Sequence, residues 1–382
     1  MDKKNKNPNV PNLRFSYKGD WSKRKLNEIC QFFKGNGLSK SDLSNEGFPC
    51  ILYGELYTTY KNEVISDIIS KTNTTLSNPF LSRNNDLIIP GSGEDPIDIA
   101  VARAICQNDI ILGGDLNILR PKSNVSAAFL SYQLNGVRRY DIAKKAQGKS
   151  IVHLHNSDLK EVLVSIPTYN EQLHIVKLLT KVDEMIETQS KIIDDYNSLK
   201  MGIYNWMFKE NCADYKLKQL AYIVKGDQIN NDQLLSNGSY YMMNGGTSPS
   251  GYLDSYNVSE NTISISEGGN SCGYVQFNSS PFWSGGHCYT IQNVNSALIE
   301  NKYLYHYLKH KEKEIMNLRI GTGLPNIQKK DLENFTIFVP SLLIQRKNLA
   351  LFEMLDEKIC ILNEELERLE MQKKYLLRNM FI

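Results

Sequence analysis

The sequence is poorest in the signals that would make function obvious. Its seven cysteines, at positions 30, 50, 106, 212, 272, 288 and 360, are an odd number with no C-x-x-C pair. That argues against a disulfide framework and a zinc cluster, and for reduced thiols. No run approaches the roughly 18 apolar residues needed to span a bilayer. The opening MDKKNKNPNV has no apolar segment behind its lysines, so a soluble, cytoplasmic protein is expected. Charge of one sign is also missing: 44 basic residues against 42 acidic leave a net charge of +2. Any electrostatic message must therefore be local. With 41% hydrophobic residues and 23% charged, the 382 residues can bury ordinary cores, and the length predicts two or three domains.

What the chain does have is a repeat. Sliding it by 173 residues (321 − 148) aligns Gly148–Phe208 with Gly321–Phe381 without a gap over 61 positions, twelve of them identical. Gly148/Gly321, Asp158-Leu159/Asp331-Leu332, Pro167/Pro340, Gln172/Gln345, Asp183-Glu184/Asp356-Glu357 and Lys200/Lys373 are among them. Apolar periodicity alone does not produce a shared Gly, Pro, Gln and Asp-Glu, so the duplication is real. It continues upstream more loosely, with Gly113-Gly114-Asp115 echoed by Gly285-Gly286-His287. Each half is a variable segment of short β-branched and aromatic runs broken by Gly, Asn, Ser and Pro, leading into a helical segment.

The helical segments carry a heptad seam. In the second copy, Phe352, Leu355, Ile359, Leu362, Leu366, Leu369 and Leu376 are spaced alternately three and four apart, with Lys373 in the one polar slot. In the first copy the seam is Leu179, Val182, Ile186, Ile193, Tyr196 and Ile203, with Lys200 in the matching slot. Roughly 38 helical residues span about 57 Å, longer than a 130-residue globule needs to cover its core. The two helices are therefore expected to pair with each other. A pseudo-two-fold makes them antiparallel, crossing near Ile193 and Leu366, with Lys200 facing Ile359.

The fold class expected is α+β: two tandem pseudo-symmetric α/β domains, 12–168 and 210–340, and two helical spacers, 169–209 and 341–382, forming an antiparallel coiled coil. Basic residues gather at equivalent places in the two halves. One patch is Arg138, Arg139, Lys144, Lys145 and Lys149; the other is Lys302, Lys309, Lys311, Lys313, Arg319, Lys329 and Lys330. A single charge run is usually a solvated face. Two at equivalent places on a symmetric frame suit a long polyanion.

Enzyme signatures fail on context. Ala143-x-x-x-x-Gly148-Lys149-Ser150 resembles a phosphate-binding loop, but a helix-like stretch precedes it and a strand-like run follows, the reverse of what that loop requires. Phe33-Lys34-Gly35-Asn36-Gly37 resembles the F-x-G-x-G loop of adenine methyltransferases, yet the chain has no Pro-Pro to complete their second motif. His153-x-His155 has the spacing of metal ligands on a strand, but its repeat counterparts are Asn326 and Gln328, poor ligands for transition metals. No Ser-His-Asp or Cys-His set can be placed by spacing, so neither a metal nor a catalytic residue is expected.

The order and duplication of these segments resemble the specificity subunit of type I restriction-modification systems. The residues that carry the resemblance are Gly321-Thr322-Gly323-Leu324-Pro325-Asn326-Ile327 through Asp331-Leu332, then Phe335–Pro340, Gln345 and Leu355-Asp356, with the first copy from Gly148 to Val182-Asp183. Tyr53-Gly54-Glu55-Leu56 and Met243-Asn244-Gly245-Gly246 resemble the family's early loop, and Ser266–Gly273 and Gly285-Gly286-His287 its later ones. The resemblance implies a non-catalytic DNA-binding subunit without cofactors of its own. Two target-recognition domains each read half of a bipartite site in double-stranded DNA, and the helix pair docks two modification (methyltransferase) subunits. Restriction (translocase/nuclease) subunits complete the complex. S-adenosylmethionine would belong to the methyltransferases, ATP and magnesium to the restriction subunits.

The DNA-binding residues expected in the first domain are Lys34, Asn36, Tyr53, Ser92, Lys144, Lys145, Lys149 and His153. Those in the second are Lys225, Asn244, Ser266, Glu267, His287, Arg319, Thr322 and Asn326. All carry donors or acceptors suited to base edges or phosphates and stand at turn-rich positions. Because Lys149-Ser150-Ile151-Val152-His153 replaces Thr-Gly-Leu-Pro-Asn, the first of the two repeated loops is expected to be shaped differently. The competing reading is a coiled-coil interaction scaffold without sequence-specific DNA binding.

Overall fold

The computed structural model describes residues 9–208, 212–321 and 323–382. They form two compact units, residues 9–190 with 364–382, and the described part of 191–363. Each unit contains one α/β domain and a part of both long helices, Tyr169–Met207 and Leu342–Asn379.

In the first unit the main sheet has the order Cys30–Lys34, Leu116–Pro121, Asp86–Pro90, Arg103–Ile105, Val64–Ile65. Its centre is the run Leu87-Ile88-Ile89, buried on both faces. A continuous apolar strand of this kind is stable only when both faces are covered. One cover is the helix Ala127–Asn135, capped by the Ser126 hydroxyl accepting from the Phe129 amide at 3.3 Å, with Phe129, Leu130, Tyr132 and Leu134 fully buried. Each such Leu or Phe contributes about 1.5–3 kcal/mol by leaving water.

The second unit repeats the plan with Tyr222–Lys225, Cys288–Gln292, Thr262–Ser266 and Val275–Asn278. In Thr262–Ser266 the alternation puts Ile263 and Ile265 into the core, while Ser264 on the other face accepts from Asn278 at 2.9 Å. The covering helix is Asn301–His310, burying Tyr303, Leu304, Tyr307 and Leu308.

The identical residues of the repeat prove to be structural joints. Gln172 and Gln345 are fully buried and bond alike. Gln172 accepts from the Ser126 amide at 2.9 Å and donates to the carbonyls of Pro167 and Asn124. Gln345 accepts from the Glu300 amide at 2.8 Å and donates to Pro340 and Leu298. Each thereby ties the start of its long helix to the start of the covering helix. Phe381 packs on Phe129 with ring centroids 5.3 Å apart, and its counterpart Phe208 packs on Tyr303 at 5.6 Å. So in each unit the domain receives the C-terminal end of one long helix and the N-terminal part of the other.

The helices run antiparallel within each unit, shown by Gln189–Glu365 and Lys373–Asp183 in the first and Lys200–Asp356 in the second. Lys200 meets Asp356, three residues before the Ile359 that an exact pseudo-two-fold through Ile193 and Leu366 predicts. Asp183–Lys373 shows the same three-residue offset, so the helices are set about one turn from the predicted register. Of the seam residues, Leu179, Val182, Ile193, Phe352, Leu355, Leu362 and Leu376 are buried, and Ile186, Tyr196, Ile203, Ile359, Leu366 and Leu369 are half-buried. No described helix is long and apolar enough to cross a membrane.

Candidate nucleic-acid interface

At one edge of each domain the strands end in loops that are tied to one another by the same backbone bonds. The Gly35 amide donates to Leu116 O at 3.0 Å and the Gly226 amide to Cys288 O at 2.9 Å; Gly113 donates to Ile51 O and Gly285 to Met243 O. A side chain at Gly35 would overlap the Gly113 carbonyl, and one at Gly226 the carbonyls of Ser284 and Gly285. Only glycine permits the approach.

The last loop of each face is a closed turn. Gln147 and His153 exchange backbone bonds at 2.9 and 2.7 Å, as Ile320 and Asn326 do at 2.8 and 3.0 Å. Gly148 and Gly321 follow the first residue of each turn with positive φ, 136° and 107°. The expectation of a different shape for the first loop is therefore not met at its base: the closure depends on the backbone and the shared glycine, not on the side chains that differ. The next residue, Leu154, donates to Gly91 O, and its counterpart Ile327 to Glu267 O, both at 2.9 Å.

Several expected contact residues stand exposed on these loops: Lys34, Lys144, Lys149 and His153 in the first domain, and Lys225, His287, Arg319 and Asn326 in the second. Lys145 and Tyr53 are half-buried. Tyr53 lines a cleft with Leu38, Leu52 and Asp115. His153 stacks on His155 with an interplanar angle of 4°. Thr322 lies outside the described residues.

Other expected residues are engaged within the protein. Ser92 is buried, its hydroxyl donating to Asp115 at 2.9 Å, and Ser266 is buried, donating to Gly245 O at 2.8 Å. Asn36 is exposed, but its amide donates to Asn78 O and accepts from the Phe80 amide. Asn244 accepts from the His287 amide at 2.9 Å. Glu267 is buried among Lys225, Tyr289 and His287. These five shape the loops from behind or between, because a small polar side chain in a turn bonds nearby backbone before it can reach a ligand.

The basic patches also differ from their one-dimensional picture. Lys302, Lys309, Lys311 and Lys329 are ion-paired with Glu353, Glu312, Glu314 and Glu333. That leaves Lys313, Arg319 and Lys330 without an ion pair among the described residues. In the first patch Arg138 pairs with Asp141 and donates to Ile382 O, and Arg139 donates to Ile97 O. The i,i+3 and i,i+4 partners were legible as helix spacings; the pairing across elements was not. Asp115, at the position of His287, is the acceptor that residue-by-residue selection passed over, although the repeat marked it.

The profile of the type I restriction modification DNA specificity domain matches residues 18–195 and 209–371, one copy over each half. The chain belongs to this family. A protein named as a type I specificity subunit from Mycoplasma genitalium is 22% identical over 97% of this chain and 96% of its own length. A named MjaX specificity subunit of Methanocaldococcus jannaschii is also 22% identical, over 94% of this chain and 92% of its own. A Mycoplasma pneumoniae relative is 34% identical over 43% of this chain and 42% of that protein. In fold, the chain is similar to the crystal structure of a type I restriction-modification S subunit from M. genitalium, with TM-score 0.68, 21% identity and coverage of 98% and 99%. The two matched segments coincide with the two halves of the duplication.

Proposed function

We propose that this specificity chain is the DNA-recognition subunit of a type I restriction-modification complex, with residues 12–168 and 210–340 each reading one half of a bipartite duplex site. The observation that carries this is the duplicated loop edge: one backbone scaffold, built twice, presents different side chains at equivalent places, Asp115 and His153 in one copy and His287 and Asn326 in the other. Equal scaffolds with unequal side chains suit two readers of unequal sequences.

Segments 169–209 and 341–382 set the spacing, because a packed helix pair is stiff. Their outward apolar residues, such as Met185, Trp206, Met354 and Tyr375, fit docking of two methyltransferase subunits. Restriction subunits join that assembly. The chain itself supplies recognition and no catalysis; S-adenosylmethionine, ATP and magnesium chemistry would lie in its partners, in the cytoplasm of a prokaryotic cell.

The test is selection from a randomised duplex library by the chain co-expressed with its methyltransferase partner, across a salt titration. Two short motifs at fixed spacing, with affinity falling steeply in salt, are expected. Strong binding without a motif would leave a basic scaffold that uses DNA as a track, and no binding at low salt would overturn the proposal.

A further inference from the structure

Lys34 and Lys225 occupy the same place in the two domains, each the last residue of its strand before Gly35 and Gly226. Their cross-strand partners are Asn117 and Tyr289. Those two residues are themselves equivalent: Asn117 donates to Leu154 O at 2.8 Å and Tyr289 to Ile327 O at 3.2 Å. The surroundings of the two ammonium groups are opposite. Lys225 donates to Glu267 Oε1 at 2.6 Å, and Lys34 has neither an ion pair nor a hydrogen bond among the described residues. The backbone position of Glu267 is taken in the first domain by Gly91, which has no carboxylate to offer.

Glu267 is fixed from several sides. Its amide donates to His287 O, its carbonyl accepts from Ile327, and its Oε1 also accepts from the Tyr289 hydroxyl at 3.1 Å. Oε2 lies 3.6 Å from His287 Nδ1 and is closed off from solvent. The carboxylate is 11% exposed and the lysine side chain 51%. Glu267 is thus turned in from the surface, while Lys225 is half exposed and held by it.

This arrangement separates two kinds of lysine contact. A phosphate contact wants a whole positive charge on a free stem and tolerates many geometries. A base contact wants donors at fixed points. Lys225 has its charge largely matched by Glu267, its direction set, and two ammonium hydrogens left over. Two hydrogens directed outward fit a pair of adjacent acceptors, and in the major groove that pair is O6 and N7 of guanine. Resting on the DNA-recognition reading above, we propose that Lys225, positioned by Glu267, reads a guanine in the second half-site, and that Lys34 contacts a phosphate in the first.

The test uses the methyltransferase-bound chain and the selected bipartite site. Lys225→Gln should lose preference for guanine at one position of the second half-site, roughly ten- to a hundred-fold, with little change in the salt slope. Lys34→Gln should weaken all sequences alike and lower the slope by about one. Glu267→Gln frees the ammonium, so the guanine preference should broaden and the slope should steepen; a merely structural role predicts neither. Lys225→Arg should keep guanine. Replacing that guanine by 7-deazaguanine removes the N7 acceptor and should weaken the unaltered protein about tenfold, which keeps the test independent of any variant's folding. A wild-type site left unchanged by Lys225→Gln, or indifference to 7-deazaguanine at every guanine of the second half-site, would overturn this assignment alone. Failure of the wild-type complex to select any bipartite site would overturn the recognition reading, and this assignment with it.

Discussion

Lys373 lies 2.7 Å from Asp183, and 173 residues earlier its repeat image Lys200 is paired with Asp356, the repeat image of Asp183. The polar slot in each heptad seam is therefore one half of a reciprocal ion pair between the two helices. The covering helix of each domain contributes a third member: the Tyr132 hydroxyl donates to Asp183 at 2.6 Å, and His306 Nδ1 lies 3.9 Å from Asp356. The copies differ in depth. Lys373 also donates to the buried Glu63 at 2.7 Å, and burial together with Glu63 raises the pKa of Asp183 in spite of the ammonium. Asp356 stays 41% exposed.

That difference in depth predicts unequal mutational costs. Lys373→Met leaves Asp183 and Glu63 buried without their hydrogen-bonded ammonium and should cost about 3–5 kcal/mol. Lys200→Met removes a partner from a solvated carboxylate and should cost about 1 kcal/mol or less. Denaturant unfolding of the two variants checks it; equal costs would contradict the reciprocal-pair account.

His306 makes stability depend on acid. Burial, the main cause, pushes its pKa from 6.5 down to about 4, against the pull of Asp356. The folded state therefore binds fewer protons than the unfolded chain between these values. Its stabilising effect is complete above about pH 6.5 and is lost as pH falls toward 4, on the order of 3 kcal/mol across the window. His306→Gln should flatten that part of the profile, measured as unfolding free energy at pH 7 and pH 4.5. An unchanged difference between the two pH values would show that other groups carry it.

The repeated glutamines should be equally sensitive. Gln172→Leu and Gln345→Leu each leave one backbone amide and two carbonyls buried without their partner, about 3 kcal/mol in either unit. Gln189→Leu, at a half-buried position of the long helix, should cost less than about 1 kcal/mol. Paired melting curves of the three variants decide it, and a mild Gln172 or Gln345 phenotype would mean that water replaces the side chain.

The two loop glycines should separate the half-sites. A side chain at Gly148 would overlap the Ile151 carbonyl, whereas at Gly321 it would sit 3.5 Å from the Leu324 carbonyl. Gly148→Ala should therefore erase sequence preference in the first half-site while leaving the second. Gly321→Ala adds only left-handed strain, about 1–2 kcal/mol, and should leave a weakened but recognisable second motif. Library selection with each variant reads both outcomes, and loss of both motifs in either variant would show that the faces are not independent.

The sequence was most legible where it repeats. Pro167, Gln172, Asp183 and Lys200 could be marked because their images 173 residues on are the same residues, and chance does not preserve a buried glutamine or a reciprocal ion pair. The shared loop edge was legible only as a set of loops. Ser92, Ser266, Glu267 and Asn244 stand on those loops, yet each is turned inward or engaged by a neighbour, because a polar side chain does not declare in sequence whether it serves the loop or the ligand. The second basic patch was misleading for a related reason: Lys302 meets Glu353 from another element, and spacing says nothing of such a partner.

By itself the sequence determined the duplication, the antiparallel helix pair and the α+β class, since all three follow from periodicity and from identities that recur at one fixed offset. Only the tertiary structure decided which lysines are free, which carboxylates are buried and which glycines admit a neighbouring backbone. Those properties belong to pairs of residues far apart in the chain, and burial and charge pairing exist only once the fold has brought them together.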